Sequence, residues 1–120
     1  MIKLICLFKR RPGMSVQEFE DYYENHHSKL GEKYMPLARR YVRRYVKPQT
    51  NPITGIAEEL DFDVVMEIWW DNQADYKTTM AAIASDEIRP IFEEDEKKIF
   101  DGHHNRIFLV EERESVMAKG

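Results

Sequence analysis

The residues best suited to chemistry lie between Ser15 and Leu30, in the stretch SVQEFEDYYENHHSKL. Phe19, Tyr22, Tyr23, His26, His27 and Leu30 recur there at intervals of three and four, the spacing of one helix side. Phenol and imidazole groups turned inward must find partners once water is removed, so such a side is either a structural network or a site. His27 is the leading candidate for catalysis. It shares a side with Tyr23, one turn back, and a neutral imidazole near pH 7 can both give and take a proton. His26 lies about 100° further round the helix, so it cannot enter the same small cavity and is expected to be structural or exposed. Asp95 supplies a possible partner. It stands four residues after Ile91 and four before Ile99, on the apolar side of an otherwise solvated acidic run, where a half-buried carboxylate could orient a histidine.

His103 and His104, after Gly102, complete the set of four histidines. Adjacent pairs cannot readily chelate one ion from a single helix face, and neither CxxC nor HExxH spacing occurs, so no metal is expected. No glycine-rich phosphate loop follows a strand, and there is no GxSxG or Cys/His nucleophile context, so no nucleotide or flavin cofactor is indicated. What remains is proton transfer by side chains alone.

The elements that must position these residues can be read in order. Ile2 to Lys9 is an apolar run stopped by Arg11-Pro12-Gly13 and reads as a strand covered on both faces. Ser15, with Glu18 three residues on, forms a capping box that starts the His27 helix; Gly31 weakens its end and Pro36 blocks continuation. Arg39 to Lys47 is the second strand, with Tyr41, Arg43 and Tyr45 on one face. Pro48 to Leu60 is a long polar loop of a kind that often serves as a lid or binding segment. Phe62 to Trp70 is the third strand, with Phe62, Val64, Met66, Ile68 and Trp70 on its core face and Asp63, Val65, Glu67 and Trp69 opposite. Asp71 or Asn72 caps a second helix to about Ala84, with Tyr76, Met80 and Ile83 inward. A further helical stretch runs from Ser85 or Asp86 through Phe100, tolerating Pro90 near its start and burying Ile91, Phe92, Ile99 and Phe100, and Gly102 ends it. Arg106 to Glu112 is the last strand, and the polar end from Arg113 is expected to fray.

This order predicts an α+β fold: a ferredoxin-like βαββαβ protomer with a four-stranded antiparallel sheet and helices on one face. The other face carries Val, Leu, Tyr and Trp and cannot be left in water, so two subunits should pack sheet to sheet as a homodimeric barrel. A chain of 120 residues suits one domain, residues 1–120. Its net charge of -4 argues against nucleic acid as a partner. The single cysteine, Cys6, cannot form an intramolecular disulfide and suits a reducing compartment. No signal-like segment or membrane span is evident, and a cytoplasmic location is expected.

Three pieces taken together, KLICLFKRRPGMSVQEFEDYYENHH, FDVVMEIWWDN and IRPIFEEDEKKIFD, resemble the EthD family of the dimeric α+β barrel superfamily. Lys9, Pro12, Gly13 and Ser15 fit the family's passage from strand to helix; Phe19, Tyr23 and His27 fit its helix pattern, with tyrosine where the family commonly has tryptophan. Glu67 and Trp70 fit the third strand, and Asp95, Glu96, Phe100 and Asp101 the acidic closing helix. The resemblance implies a cavity between sheet and helices, and relatives include proteins of ether degradation and fungal enzymes of aromatic polyketide pathways. The expected function is a cofactor-independent lyase or cyclase, dehydratase- or decarboxylase-like, on a small aromatic or polyketide-like molecule. In that expectation His27 moves the proton, Asp95 orients it, and Tyr23, Tyr41, Tyr45 and Trp69 line the cavity, with His103 or His104 as a second acid. Two other classes stay open: a non-catalytic accessory protein of an oxidative degradation system, and a cofactor-free monooxygenase using Trp69 or Trp70 with an imidazole.

Overall fold

The computed structural model describes residues 1–120. Four strands, β1 (Ile2–Phe8), β2 (Arg40–Tyr45), β3 (Val64–Trp70) and β4 (Arg106–Leu109), form one sheet in the order β2-β3-β1-β4. Every neighbouring pair is antiparallel. The helices are α1 (Val16–Tyr22), α2 (Ser28–Tyr34), α3 (Gln73–Ile83) and α4 (Arg89–Ile99), with a five-residue π turn, Tyr23–His27, joining α1 to α2. This is the expected four-stranded α+β arrangement.

Period-two patterning fixes which side of the sheet is core. Leu4, Cys6 and Phe8 on β1 stand opposite Ile68, Met66 and Val64 on β3, and all six are buried with Trp70 on one face. Phe19, Tyr23, Ile99 and Phe100 close over them, with Phe8 and Phe100 stacked at 4.2 Å between centroids and Phe19 and Tyr23 edge-on at 6.0 Å. The opposite face presents Ile5, Leu7, Val65, Trp69 and Val42, with Phe108 from the edge strand β4. Tyrosine, expected on that face as well, is absent from it: Tyr41 and Tyr45 belong to the helix side of the sheet.

Element starts follow their caps. Ser15 Oγ accepts the Glu18 N–H at 3.1 Å, and the Glu18 carboxylate accepts the Ser15 N–H at 2.9 Å. Asn72, rather than Asp71, caps α3 by accepting the Asp75 N–H. The helix that carries His27 ends at Tyr34, before Pro36 as expected. Gly31 lies within it, and the absence of a side chain there lets the Tyr41 ring pack directly on the backbone; a Cβ would meet Tyr41 Cε2 at 2.8 Å. Strands β2 and β4 are shorter than expected, and α4 begins only at Arg89, after a turn over the residues expected to open it. Ile91, expected to be buried, is exposed. Phe100 leaves the helix in extended conformation, where it bridges Arg10. The 48–60 loop is exposed almost throughout, folded on itself by Asn51, whose side chain accepts the Ile53 N–H at 2.8 Å.

Beneath α3, Trp70 is fully buried and its Nε1–H donates to Thr79 Oγ1 at 3.0 Å, while the Thr79 hydroxyl donates to the Asp75 carbonyl at 2.9 Å. Thr79→Val keeps the shape but removes the only acceptor of a buried indole. It is expected to lower stability in urea unfolding by about 1–3 kcal/mol, the cost of leaving such a donor unpaired.

Candidate functional site

The π turn decides how the site is assembled. Residues five apart in an α-helix differ by about 140° around the axis, from its 3.6 residues per turn. A π turn closes hydrogen bonds five residues apart instead, as the Ser28 N–H to Tyr23 carbonyl bond does here, and brings such residues toward one side. Tyr22 and His27, five apart, accordingly reach the same carboxylate: Tyr22 Oη donates to Asp95 Oδ1 at 2.5 Å, and His27 Nδ1 lies 2.8 Å from Asp95 Oδ2. Local chemistry supports the turn. The buried Ser28 hydroxyl donates to the Glu24 carbonyl at 2.9 Å. Glu24, inside the turn, is held from β2 by the Arg43 guanidinium in two bonds of 3.0 and 2.7 Å and by the Tyr45 hydroxyl.

His27 is buried, 5% exposed, with Tyr23 and Phe100 edge-on at 5.1 and 5.0 Å between ring centroids. Burial lowers its pKa from the ordinary 6.5, opposed by the hydrogen bond and charge of Asp95. The ring is therefore neutral near pH 7. An ionised Asp95 only accepts, so Nδ1 carries the proton and Nε2 presents a lone pair with no partner in the protein. Tyr22 is the donor in its bond, since burial and then Asp95 push its pKa to about 12. An imidazole held in one tautomer with a free Nε2 is equipped to take a proton from a neighbouring molecule.

Such a molecule has a place to sit. A cavity of about 280 Å³ lies between sheet and helices, and His27 lines it together with Tyr41, Phe92 and Glu96. Leu4, Cys6 and Met66 form its sheet side, and Met35, Met80 and Ile83 close it from the helices. The lining is predominantly apolar, and its three methionines can adapt to an irregular ligand.

The expected site residues divide. His27, Asp95, Tyr23 and Tyr41 are brought together. Tyr23 is fully buried behind His27, its hydroxyl against that of Tyr41 but meeting no partner at hydrogen-bond geometry, so it supports the imidazole and does not line the cavity. Tyr45 is turned toward Phe19, Tyr23 and Glu24, outside the cavity lining. Trp69 is not in the cavity at all: strand alternation places it on the opposite face of the sheet, between Lys3 Nζ at 3.9 Å and the Arg40 guanidinium at 4.7 Å from its ring. Trp70, the other aromatic considered for oxygen chemistry, is sealed under α3. His103 is exposed, and His104 Nδ1 is engaged by Asp101 at 3.0 Å; the cavity is reached instead by the next two residues, Asn105 and Arg106. His26 is exposed and packs on Tyr22. The 48–60 loop contributes nothing to the lining. Tyr22 and Glu96 were not singled out as site residues from the sequence. Tyr22 was hidden because only a π turn pairs it with His27, and Glu96 because an acidic run is by default solvated.

The sheet order, the helices on one face and the cavity between them define a protomer of the α+β barrel class. Residues 11–103 match the model of the EthD domain, and the chain belongs to the EthD family. Among solved structures, it is similar to an EthD family protein from Bacillus halodurans, 25% identical over 94% of this chain and 99% of that one, with a TM-score of 0.63. A protein from Arabidopsis thaliana is 12% identical over 98% of this chain and 100% of that one, with a TM-score of 0.60. SnoaB from Streptomyces nogalater, described as a cofactor-independent oxygenase, is 11% identical over 96% and 95%, with a TM-score of 0.56. The last two likenesses are of fold. No curated protein matches the sequence.

The buried imidazole links folding to pH. A folded-state pKa below 6.5 means that the unfolded chain binds the extra proton first, so stability is complete above that value and is lost as pH falls through the window beneath it. NMR titration of the His27 ring is expected to give a midpoint below 6.5. In Asp95→Asn the midpoint should fall further, since Asp95 is the group that favours the cation; a rise would show that Asp95 does not act on the imidazole.

Proposed function

We propose that this protein is a cofactor-independent enzyme acting on a small, largely apolar molecule of aromatic or polyketide-like type, by general acid–base catalysis at His27. The observation that carries the reading is the His27–Asp95 pair at 2.8 Å beside the cavity of about 280 Å³. A molecule in the cavity meets the free Nε2; His27 takes its proton, and the Asp95 carboxylate, 2.8 Å from Nδ1, stabilises the imidazolium that forms. Tyr22 and Asp95 fix the ring, Tyr23 backs it, and Tyr41 adds a phenol whose pKa burial raises to about 12, keeping it a neutral donor. Proton removal followed by loss of water or carbon dioxide, or by ring closure, is lyase or cyclase chemistry that needs no cofactor. A cofactor-free monooxygenase is less well supported, because both tryptophans are engaged away from the imidazole.

The working form is a homodimer in the cytoplasm. Trp69, Val65, Ile5, Leu7, Val42 and Phe108 make a sheet face without helices over it, and packing this face against that of a second copy would take it out of water. The lone thiol of Cys6 suits a reducing compartment.

Two outcomes are expected. On a substrate turned over by the purified protein, found by mass spectrometry of incubations with aromatic ketones and polyketide-like acids, His27→Ala should lower kcat by about 10²–10⁴-fold with an unchanged far-UV spectrum. Full activity in that variant would sink the mechanism. Trp69→Glu, a charge in place of the largest apolar side chain on the open sheet face, should convert a dimer into a monomer in sedimentation velocity; an unchanged mass would place the interface elsewhere.

A further inference from the structure

We propose that Glu96 is the second proton-transfer group of the cavity, giving its proton to an oxygen of the bound molecule while His27 takes one from carbon. The pair then selects a small apolar compound with an enolisable carbonyl. The inference rests on the reading of His27 as the base and adds the acid that such a base needs.

Position comes first. Glu96 follows Asp95 on α4 and lines the same cavity as His27. The two carboxylates differ in what they meet. Asp95 is occupied by Tyr22 and His27, whereas Glu96 is half-buried with no hydrogen bond and no ion pair to any residue of the chain. Arg106 is the cation that shares the cavity, and its Nη1 is spent on the carbonyls of Asn105 and His103, at 2.8 and 3.1 Å.

The surroundings favour the protonated form. Asp95 and Glu93 on the same helix repel a Glu96 anion, His27 is neutral, and Cys6 on the sheet side is a thiol whose own pKa is raised to about 12 by burial and then by Glu96. Lys97, next on the helix, forms no ion pair with it. Burial, then Asp95 and Glu93, accordingly raise the Glu96 pKa above its ordinary 4.5. A supply of protons is also built in. Glu96 and Asn105 line both the apolar cavity and a polar surface pocket with Glu93, Lys97 and Gly102, so Glu96 stands between the cavity and a solvent-facing pocket. The Asn105 Oδ1 is buried and without a donor.

The step balances without any co-reactant. His27 Nε2 takes a proton from the carbon beside the carbonyl, and the C–H electron pair becomes a C=C bond. The carbonyl π pair moves to oxygen, which bonds the proton leaving Glu96. The product is a neutral enol, with His27 cationic against Asp95 and Glu96 anionic beside the solvent-facing pocket, where solvent restores its proton. Without the acid an enolate would form in an apolar space, which is costly; with it the bound molecule stays neutral throughout.

The test follows deuterium incorporation into 2-tetralone, a bicyclic enolisable ketone, by proton NMR in D₂O. The protein is expected to accelerate exchange beside the carbonyl, His27→Ala to abolish it, and Glu96→Gln to lower kcat by about 10²-fold or more with little change in KM. Glu96→Gln should also lose the decline in rate at high pH that follows deprotonation of the acid. Exchange that disappears in His27→Ala but is intact in Glu96→Gln overturns the role of Glu96 and leaves His27 as the base. No acceleration by the wild-type protein overturns the enolisable-carbonyl class, while the His27 titration still tests the base separately. Carboxyl ¹³C NMR of the ligand-free protein gives an independent readout, with the Glu96 signal assigned by its absence in Glu96→Gln: a midpoint at or below 4.5 removes the acid.

Discussion

The carboxylate of Asp95 is the constraint on which the rest of the site depends. It sits on α4 and takes one hydrogen bond from Tyr22 and one from His27, so it joins the last helix to the first across the top of the sheet. Its charge does three things at once. It fixes the imidazole tautomer, it offsets part of the desolvation that burial imposes on His27, and it leaves Nε2 as the nitrogen available to a ligand. Both hydrogen bonds require Tyr22 and His27 on one side of the helix, which a regular α-helix does not provide. The π turn is the local cost of that arrangement, and Ser28 and Glu24 stabilise it from within and from β2.

From this junction the logic of the two sheet faces follows. On the helix side, aromatic rings from α1, the π turn and Phe100 surround the imidazole, and the remaining space beneath α3 and α4 becomes a cavity because methionine and small side chains do not fill it. On the other side the same strands present Ile5, Leu7, Val42 and Val65 around Glu67, with Trp69 toward one end between Lys3 and Arg40. One face holds the imidazole and the cavity, and the other is left open by the helices. A one-residue slip of β3 would exchange Trp69 with its neighbours and ruin both, which is why the alternation of Val64, Met66, Ile68 and Trp70 is so strongly specified by burial.

The carboxylates of α4 illustrate how environment divides labour between like groups. Asp95 and Glu96 are adjacent in sequence, yet one is saturated by donors and the other has none. A saturated carboxylate serves as a fixed charge, whereas for an unpaired one in a half-buried wall burial and neighbouring carboxylates raise the pKa.

Several features were determined by the sequence alone. The apolar alternation of β1 and β3, the capping box at Ser15 and the order of elements specify the four-stranded α+β fold, because each is a local signal whose period or cap chemistry has one regular solution. The inward aromatic and imidazole side of the first helix also marked His27, and the position of Asp95 among apolar neighbours marked its carboxylate. Tertiary structure decided the rest. Tyr22 entered the site through a π turn that no local pattern announces, and a glycine is needed at position 31 because Tyr41, from a distant strand, packs on its backbone. Trp69, Tyr45, His103 and His104 were drawn to the site by residue type but carried away from it by strand parity, by the Glu24 network and by the turn after Phe100. Glu96 was set apart from the acidic run by which side of α4 meets the sheet. Side-chain chemistry is written locally, but its partners lie up to 73 residues away along the chain, as Tyr22 and Asp95 do, and only the packed fold brings them within hydrogen-bond reach.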